Sequence, residues 1–408
     1  AYLPIVAGGT AFTYQVKVNG KQLKNLRLSG ETIAKIFTNK ITNWNDPAIT
    51  KDNNGKKLPS LQIIPVHRSD GSGTTAQFTT WLNSEYGSLW KPFFGRSGIT
   101  SYYPSKGKSI GANGSDQVMN TISAAQGNGT IGYVEYAYPV RKSYPVVKVL
   151  NKSGYFVEPT QYNVAVALTK AKLNKDLTQN LTGVYRGSDA RTYPLSSYSY
   201  MLLPTGAKDK RMSTSRRQSL ADFMFYSLCE GQSKAGKFGY SPLPLNLVQA
   251  GFDQLGKLKK ADKNVNLENR SVTKCNNPTF VAGNLKANKL AQVAPKPAEC
   301  DKVGAGPCTT GTGAAPTSVD AAKNGGGAGS GPGDTGTGDS AASGGAEVDP
   351  DTGLPVGSAE QGGGAASVAV QTELVAGRAG DDKVFGALAV AELLAIVVAP
   401  GLVAVYLT

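Results

Sequence analysis

From Thr309 to Asp382 the chain is written almost entirely in Gly, Ala, Ser, Thr and Asp, without one aromatic residue. Such a run cannot bury enough apolar surface to offset the entropy of ordering it, so it reads as a flexible linker. This break confines any packed core to what comes before it. Residues 1–282 read as globular and 283–382 as a cysteine-containing segment followed by the linker. Residues 383–408 read as a transmembrane segment. There, Val384 to Thr408 approaches the ~20 apolar residues a spanning helix needs, interrupted by Glu392 and Pro400. No basic residue follows Val384 to give the usual positive-inside signal.

Charge divides the same way. The chain carries +14 overall, yet the linker holds two basic residues, Lys323 and Arg378, against ten acidic ones, so the globular part is strongly basic. That balance concentrates small anions near the surface, and it attracts nucleic acid as well. The densest basic cluster is Lys208, Lys210, Arg211, Arg216 and Arg217. It lacks the interleaved aromatics of a base-stacking surface and reads as a solvated face, with no nucleic-acid partner.

The stretch that carries chemistry is His67-Arg68-Ser69-Asp70-Gly71-Ser72-Gly73-Thr74-Thr75. It sets a fixed cation, four hydroxyls and two glycines on a loop that opens a helix, because Phe78, Trp81 and Leu82 then recur at helical spacing. The glycines allow close backbone approach, and the amides near Gly73 and Thr74 can point at an anion on the positive end of the helix dipole. Thr74 or Thr75 can cap the helix. Arg68 can bind two oxygens of a tetrahedral anion at once. Asp70 either orients that guanidinium or accepts a proton from the anion.

Leu61 to Val66 forms an apolar run that ends at this loop. Gly30 to Phe37 and Thr74 to Leu82 read as helices, and Thr130 to Tyr138 as a strand. The alternation predicts an α/β fold with ligand loops at strand ends. Trp44 is assigned to packing, and Asp46 with Pro47 to a turn and helix start.

Four stretches occur together in one order: Leu26-Arg27-Leu28-Ser29-Gly30-Glu31, Ile41-Thr42-Asn43-Trp44-Asn45-Asp46-Pro47-Ala48-Ile49, Arg68-Ser69-Asp70-Gly71-Ser72-Gly73-Thr74, and Gly129-Thr130-Ile131-Gly132-Tyr133-Val134-Glu135-Tyr136. In this the chain resembles the periplasmic phosphate-binding proteins that feed bacterial phosphate ABC transporters, from about Ala1 to the region of Cys275. The resemblance implies a two-lobed periplasmic-binding-protein type II fold, with residues 20–146 as second lobe and 147–282 as the remainder of the first. Tyr193 to Leu203 would be a strand of that remainder and Ser213 to Leu228 a helix.

It also implies an extracytoplasmic protein that hands inorganic phosphate to an ABC permease, and the apolar C-terminal run adds an anchor at the cell membrane. Arg68, Ser72, Gly73 and Thr74 would be the phosphate ligands, supported by Asp70, Ser69 and Gly71. Ala1 to Thr10 resembles the family's hinge strand, which implies an N-terminally truncated sequence whose first lobe is incomplete. Sulfate or another oxyanion is an alternative ligand, and a cell-surface adhesion or display protein an alternative use of the fold.

Enzymatic readings are weaker. Gly71-Ser72-Gly73 lacks the flanks of a nucleophile elbow, no third group orients His67, and His67 reads as a packed or loop-facing histidine rather than a base. No catalytic residue, metal site or cofactor is assigned. Gly127-Asn128-Gly129-Thr130-Ile131-Gly132 has the spacing of a dinucleotide-binding turn but leads into a β-rich run instead of a helix. Cys229, Cys275, Cys300 and Cys308 suit disulfides of an oxidising compartment. A Cys229–Cys275 bridge would tie the C-terminal end to the core and Cys300–Cys308 would close a small loop, but four cysteines allow three pairings and sequence alone does not choose.

Overall fold

Tyr2–Tyr14 forms β1, a 13-residue strand that serves two neighbours in succession. Its first part, Tyr2 to Gly9, pairs antiparallel with Ser196–Leu202. Its second part, Thr10 to Tyr14, pairs antiparallel with Thr130–Glu135. With Ile64–Arg68 as β2, Ile110–Ala112 as β3, Thr130–Glu135 as β4 and Ser196–Leu202 as β5, the sheet runs β5-β1-β4-β2-β3. The pairings β4-β2 and β2-β3 are parallel. The computed structural model describes residues 1–313 except 273, 274, 282, 285 and 286.

Parallel neighbours need crossover helices, and these build the half of the molecule beyond the middle of β1. Gly30–Phe37 is α1, Gly73–Glu85 is α2 and Gly114–Ser123 is α3. Ser29 caps α1, its side chain accepting from the Thr32 amide, and Ile33, Ile36 and Phe37 are buried. They meet Phe78, Trp81 and Leu82 of α2 in the main core. Phe78 lies at its centre, with ring centroids 5.0 Å from Phe37, 5.3 Å from Phe12 and 4.9 Å from Tyr133. Pairs of this kind contribute about 0.5–1.5 kcal/mol each beyond their buried area, so this cluster fixes α2 firmly against the sheet.

The other half gathers around β5 and the first part of β1. It contains Gln161–Leu168 (α4), Thr214–Leu228 (α5) and Leu245–Ala261 (α6). Cys229 ends α5 and is bridged to Cys275, and Cys300 is bridged to Cys308, which selects one of the three pairings. The described fold continues beyond the expected boundary at 282, through the short helix Lys289–Val293 (α7), to Gly313.

Several expectations need adjusting. The strand expected over Thr130 to Tyr138 stops at Glu135, and Ala137–Arg141 is helical. The Tyr136 amide donates to Gly9 O, the point at which β1 passes to β5, so pairing with β4 has no further partner. Pairing of Tyr193 to Leu203 covers Ser196–Leu202 only. Arg217, placed on a solvated face, is 2% exposed and donates to Gly206 O. Trp44 is fully buried, and Asp46 caps a helix with Pro47 in its first turn. The glycine-rich turn before Thr130 leads into β4, so no helix follows it. No described helix is long and apolar enough to cross a membrane, and the segment Val384 to Thr408 lies outside the described residues, as does the linker beyond Gly313.

Candidate functional site

Strand β2 delivers the candidate loop. Pro65, Val66 and His67 are buried, and the chain emerges at Arg68, leaving Ser69 to Ser72 as the link to α2. His67 is 2% exposed and packs beside Tyr103, and burial pushes its pKa below the ordinary value. Of the two placements the sequence left open for His67, the packed one is observed.

Arg68 is held on several sides. Its Nε donates to Asp70 Oδ1 at 2.7 Å, Nη2 to Asp70 Oδ2 at 2.5 Å and Nη1 to Ser115 Oγ at 2.9 Å. Asp70 thus orients the guanidinium through a two-pronged pair. Asp70 also accepts from the Gly114 amide at 3.1 Å, so its charge lies at the N-terminus of α3. Burial works against that charge, but the bonds from Arg68 and Gly114 outweigh it and hold the carboxyl below its usual range.

Ser72 is the cap of α2. Its Oγ accepts from the Thr75 amide at 3.1 Å, while its own amide donates to Ser101 O. The cap expected at Thr74 or Thr75 is therefore at Ser72, since Thr75 is drawn into the core by its Oγ1 contact of 2.7 Å with Tyr133 Oη. With Ser72 satisfying Thr75, and Ala76 bonded back to Ser72 O, the amides of Gly73 and Thr74 remain as the first donors of the helix without an acceptor among the described residues. A Cβ placed on Gly73 would meet nothing within 4 Å, so this end is open. Gly71 lies under the Tyr102 hydroxyl, where a Cβ would come within 2.9 Å. Ser69 donates its amide to Ala112 O and keeps the loop registered on β3.

Ser72, Gly73 and Thr74 stand at the start of α2, and Arg68, paired with Asp70, stands at the end of β2 on the loop that leads to it. Ser115 and Gly114, 47 and 44 residues away, were not singled out from the sequence. Their only local sign is a glycine and serine at the start of a helix. The chemistry available is recognition of an anion by a fixed guanidinium, helix-end amides and hydroxyl donors. Among the described residues no group of three or more His, Cys, Asp or Glu is placed to hold a metal.

The pattern of the PBP superfamily domain matches residues 1–230, more than half of the chain. The chain belongs to the PBP superfamily. The chain is 34% identical over 224 residues to the phosphate-binding protein PstS of Xylella fastidiosa, covering 55% of this chain and 58% of that one. It is 33% identical over 247 residues to the PstS of Pasteurella multocida, with 60% and 67% covered. To the PstS of Methanocaldococcus jannaschii it is 30% identical over 267 residues, with 63% and 67% covered. The match spans less than two thirds of the Xylella relative's length. A solved high-affinity periplasmic phosphate-binding protein bound with phosphate superposes with a TM-score of 0.47 at 18% identity, covering 65% of this chain and 76% of that one.

Proposed function

We propose that this PBP domain is an extracytoplasmic substrate-binding protein that captures inorganic phosphate for an ABC importer, without catalysis. The observation that carries the reading is Arg68, locked by Asp70 and Ser115 on the loop that leads into the open amides of Gly73 and Thr74 at the start of α2. Phosphate would take the guanidinium of Arg68, the Gly73 and Thr74 amides and the hydroxyls of Ser72 and Thr74. Ser69, Asp70 and Gly71 would shape the loop. Relatives named as phosphate-binding proteins support phosphate over other oxyanions.

In this reading residues 20–146 form the phosphate-loop lobe and 147–282 the remainder of the opposite lobe, joined by β1. The permease is the partner, and Val384 to Thr408, on its apolar composition, anchors the protein to the membrane. Two disulfides suit an oxidising compartment.

Titration calorimetry with phosphate, and with sulfate as competitor, tests the reading. Charge-assisted hydrogen bonds contribute about 1.5–3 kcal/mol, so Arg68→Ala is expected to weaken phosphate binding at least about tenfold. Unchanged affinity in that variant removes Arg68 from the site, and tighter binding of sulfate than of phosphate overturns the choice of ligand.

A further inference from the structure

Residues 287–313 leave the β5 half of the molecule, reach the half that carries Arg68 and end at Glu158. At their start, α7 packs against α4, and Arg191 Nη1 donates to Ala291 O and Ala294 O, each at 3.0 Å. Just upstream, Asn277 Nδ2 donates to Leu243 O at 2.9 Å. Further along, the carbonyls between Cys300 and Cys308 are taken by side chains from the opposite half. Arg27 Nη1 donates to Cys300 O at 3.0 Å, Asn54 Nδ2 to Gly306 O at 3.1 Å and Asn25 Nδ2 to Cys308 O at 2.6 Å.

The crossing between the halves is fastened as well. Asp301 pairs with Lys148 at 2.7 Å, and the Val303 amide donates to Gly154 O. Thr312 Oγ1 donates to Val146 O at 2.5 Å and accepts from the Val146 amide at 2.9 Å, while its own amide donates to Lys24 O. The Gly313 amide ends the run on Glu158 Oε1 at 2.7 Å. Only glycine suits that last position, with φ at +79° and a Cβ that would lie 1.9 Å from Tyr144 O. Between these anchors the segment spans a cavity of about 320 Å³ lined by Tyr136, Phe156, Glu158, Tyr162, Pro295 and Pro297.

We propose that residues 287–313 act as a disulfide-stapled brace across the two halves joined by β1, with Cys300–Cys308 holding its far end on the Arg68 side. On the Arg68 side the grip is made of side-chain hydrogen bonds to backbone carbonyls, while Leu290, Ala294 and Cys308 of the segment are buried. Its hold therefore depends on the eight-residue separation closed by Cys300–Cys308, which presents the carbonyls of Cys300, Gly306 and Cys308 to Arg27, Asn54 and Asn25 in fixed register. Without that closure the three carbonyls lose their common geometry, and the relative position of the halves rests on β1, the crossing near Val146, the Arg186–Glu85 ion pair and the Tyr240–Glu135 hydrogen bond. The brace does not rest on the identity of the ligand.

The test measures the distance between the halves in the full chain. Spin labels are introduced at the exposed Lys91 and Lys259 by a chemistry that spares cysteine, and the ligand-free protein is compared with Cys300→Ser/Cys308→Ser, leaving Cys229–Cys275 intact. The expected result is a broadened distance distribution, together with at least tenfold faster amide exchange at 24–28 and 146–150 and unchanged exchange in α5 and α6. Thr312→Val, which keeps both disulfides, is expected to loosen the same two segments. A distance distribution as narrow as that of the parent in both variants overturns the brace. Uniformly faster exchange throughout α5 and α6 would overturn it too, since it would mean general destabilisation.

Discussion

Arg68 and Asp70 stand two residues apart and face each other through two parallel hydrogen bonds, 2.7 and 2.5 Å long, with side chains only 12% and 15% exposed. A carboxylate in an anion site is a paradox only if it faces the anion. Here both of its oxygens are spent, on Arg68 and on the Gly114 amide, so its charge fixes the guanidinium plane.

That pairing predicts a pH dependence. The Asp70 carboxyl is held below its usual range in the folded protein, so its stabilising contribution is complete above the pKa of the unfolded chain, near 4. The contribution disappears as pH falls through the lower, folded value. Asp70→Asn is expected to lower the thermal midpoint at pH 7 and to narrow its gap to the parent as pH falls from about 5 to 2. A gap that stays constant over that range would show that Asp70 does not titrate against Arg68.

Ser72 serves as a helix cap and, in the proposed function, also donates to the ligand, and one substitution separates the two. Aspartate caps as well as serine, so Ser72→Asp should leave stability within ~0.5 kcal/mol, as read by urea unfolding. The added negative charge beside the amides of Gly73 and Thr74 should cost phosphate binding at least about tenfold. Retained affinity would place the anion elsewhere.

Gly73 has open space where a Cβ would go. Gly73→Ala should therefore fold normally and gain between 0 and ~1 kcal/mol from reduced chain entropy. If an anion approaches the Gly73 and Thr74 amides closely, the new methyl group stands in its way, and calorimetry should show about a tenfold loss, equivalent to ~1.4 kcal/mol. Equal affinity would mean that the ligand does not approach α2 from this end.

The loop was legible because its signals are local. A cation, glycines and hydroxyls stand in one stretch just before the periodic Phe78, Trp81 and Leu82. The supports of that loop were not, because Ser115 and Gly114 reach it only through the parallel pairing of β2 with β3, and no local spacing encodes a tertiary neighbour. The cap moved from threonine to Ser72 for a similar reason, since the Tyr133 hydroxyl claims Thr75 from across the core. Arg217 misled as part of a basic cluster, for charge in a sequence does not announce a backbone carbonyl waiting at Gly206. Residues 287–313 carry little apolar periodicity. What holds them, side chains of Arg27, Asn25 and Asn54 on backbone carbonyls, is invisible before folding.

Glu158 gives the last prediction, of opposite sign to that for Asp70. Burial raises its pKa, and the Tyr136 hydroxyl and Gly313 amide, both donating to Oε1, offset this only in part. The folded protein therefore binds this proton more tightly than the unfolded chain does, and the group's contribution to stability falls as pH rises from the unfolded carboxyl range toward the raised folded value. Glu158→Gln keeps an oxygen that accepts from both donors and removes the cost of ionisation. Its thermal midpoint should match the parent near pH 4 and exceed it at pH 7, measured in the same buffers. A variant less stable than the parent at pH 7 would mean that the ionised carboxylate is needed there, with the charge of Lys148 acting on it.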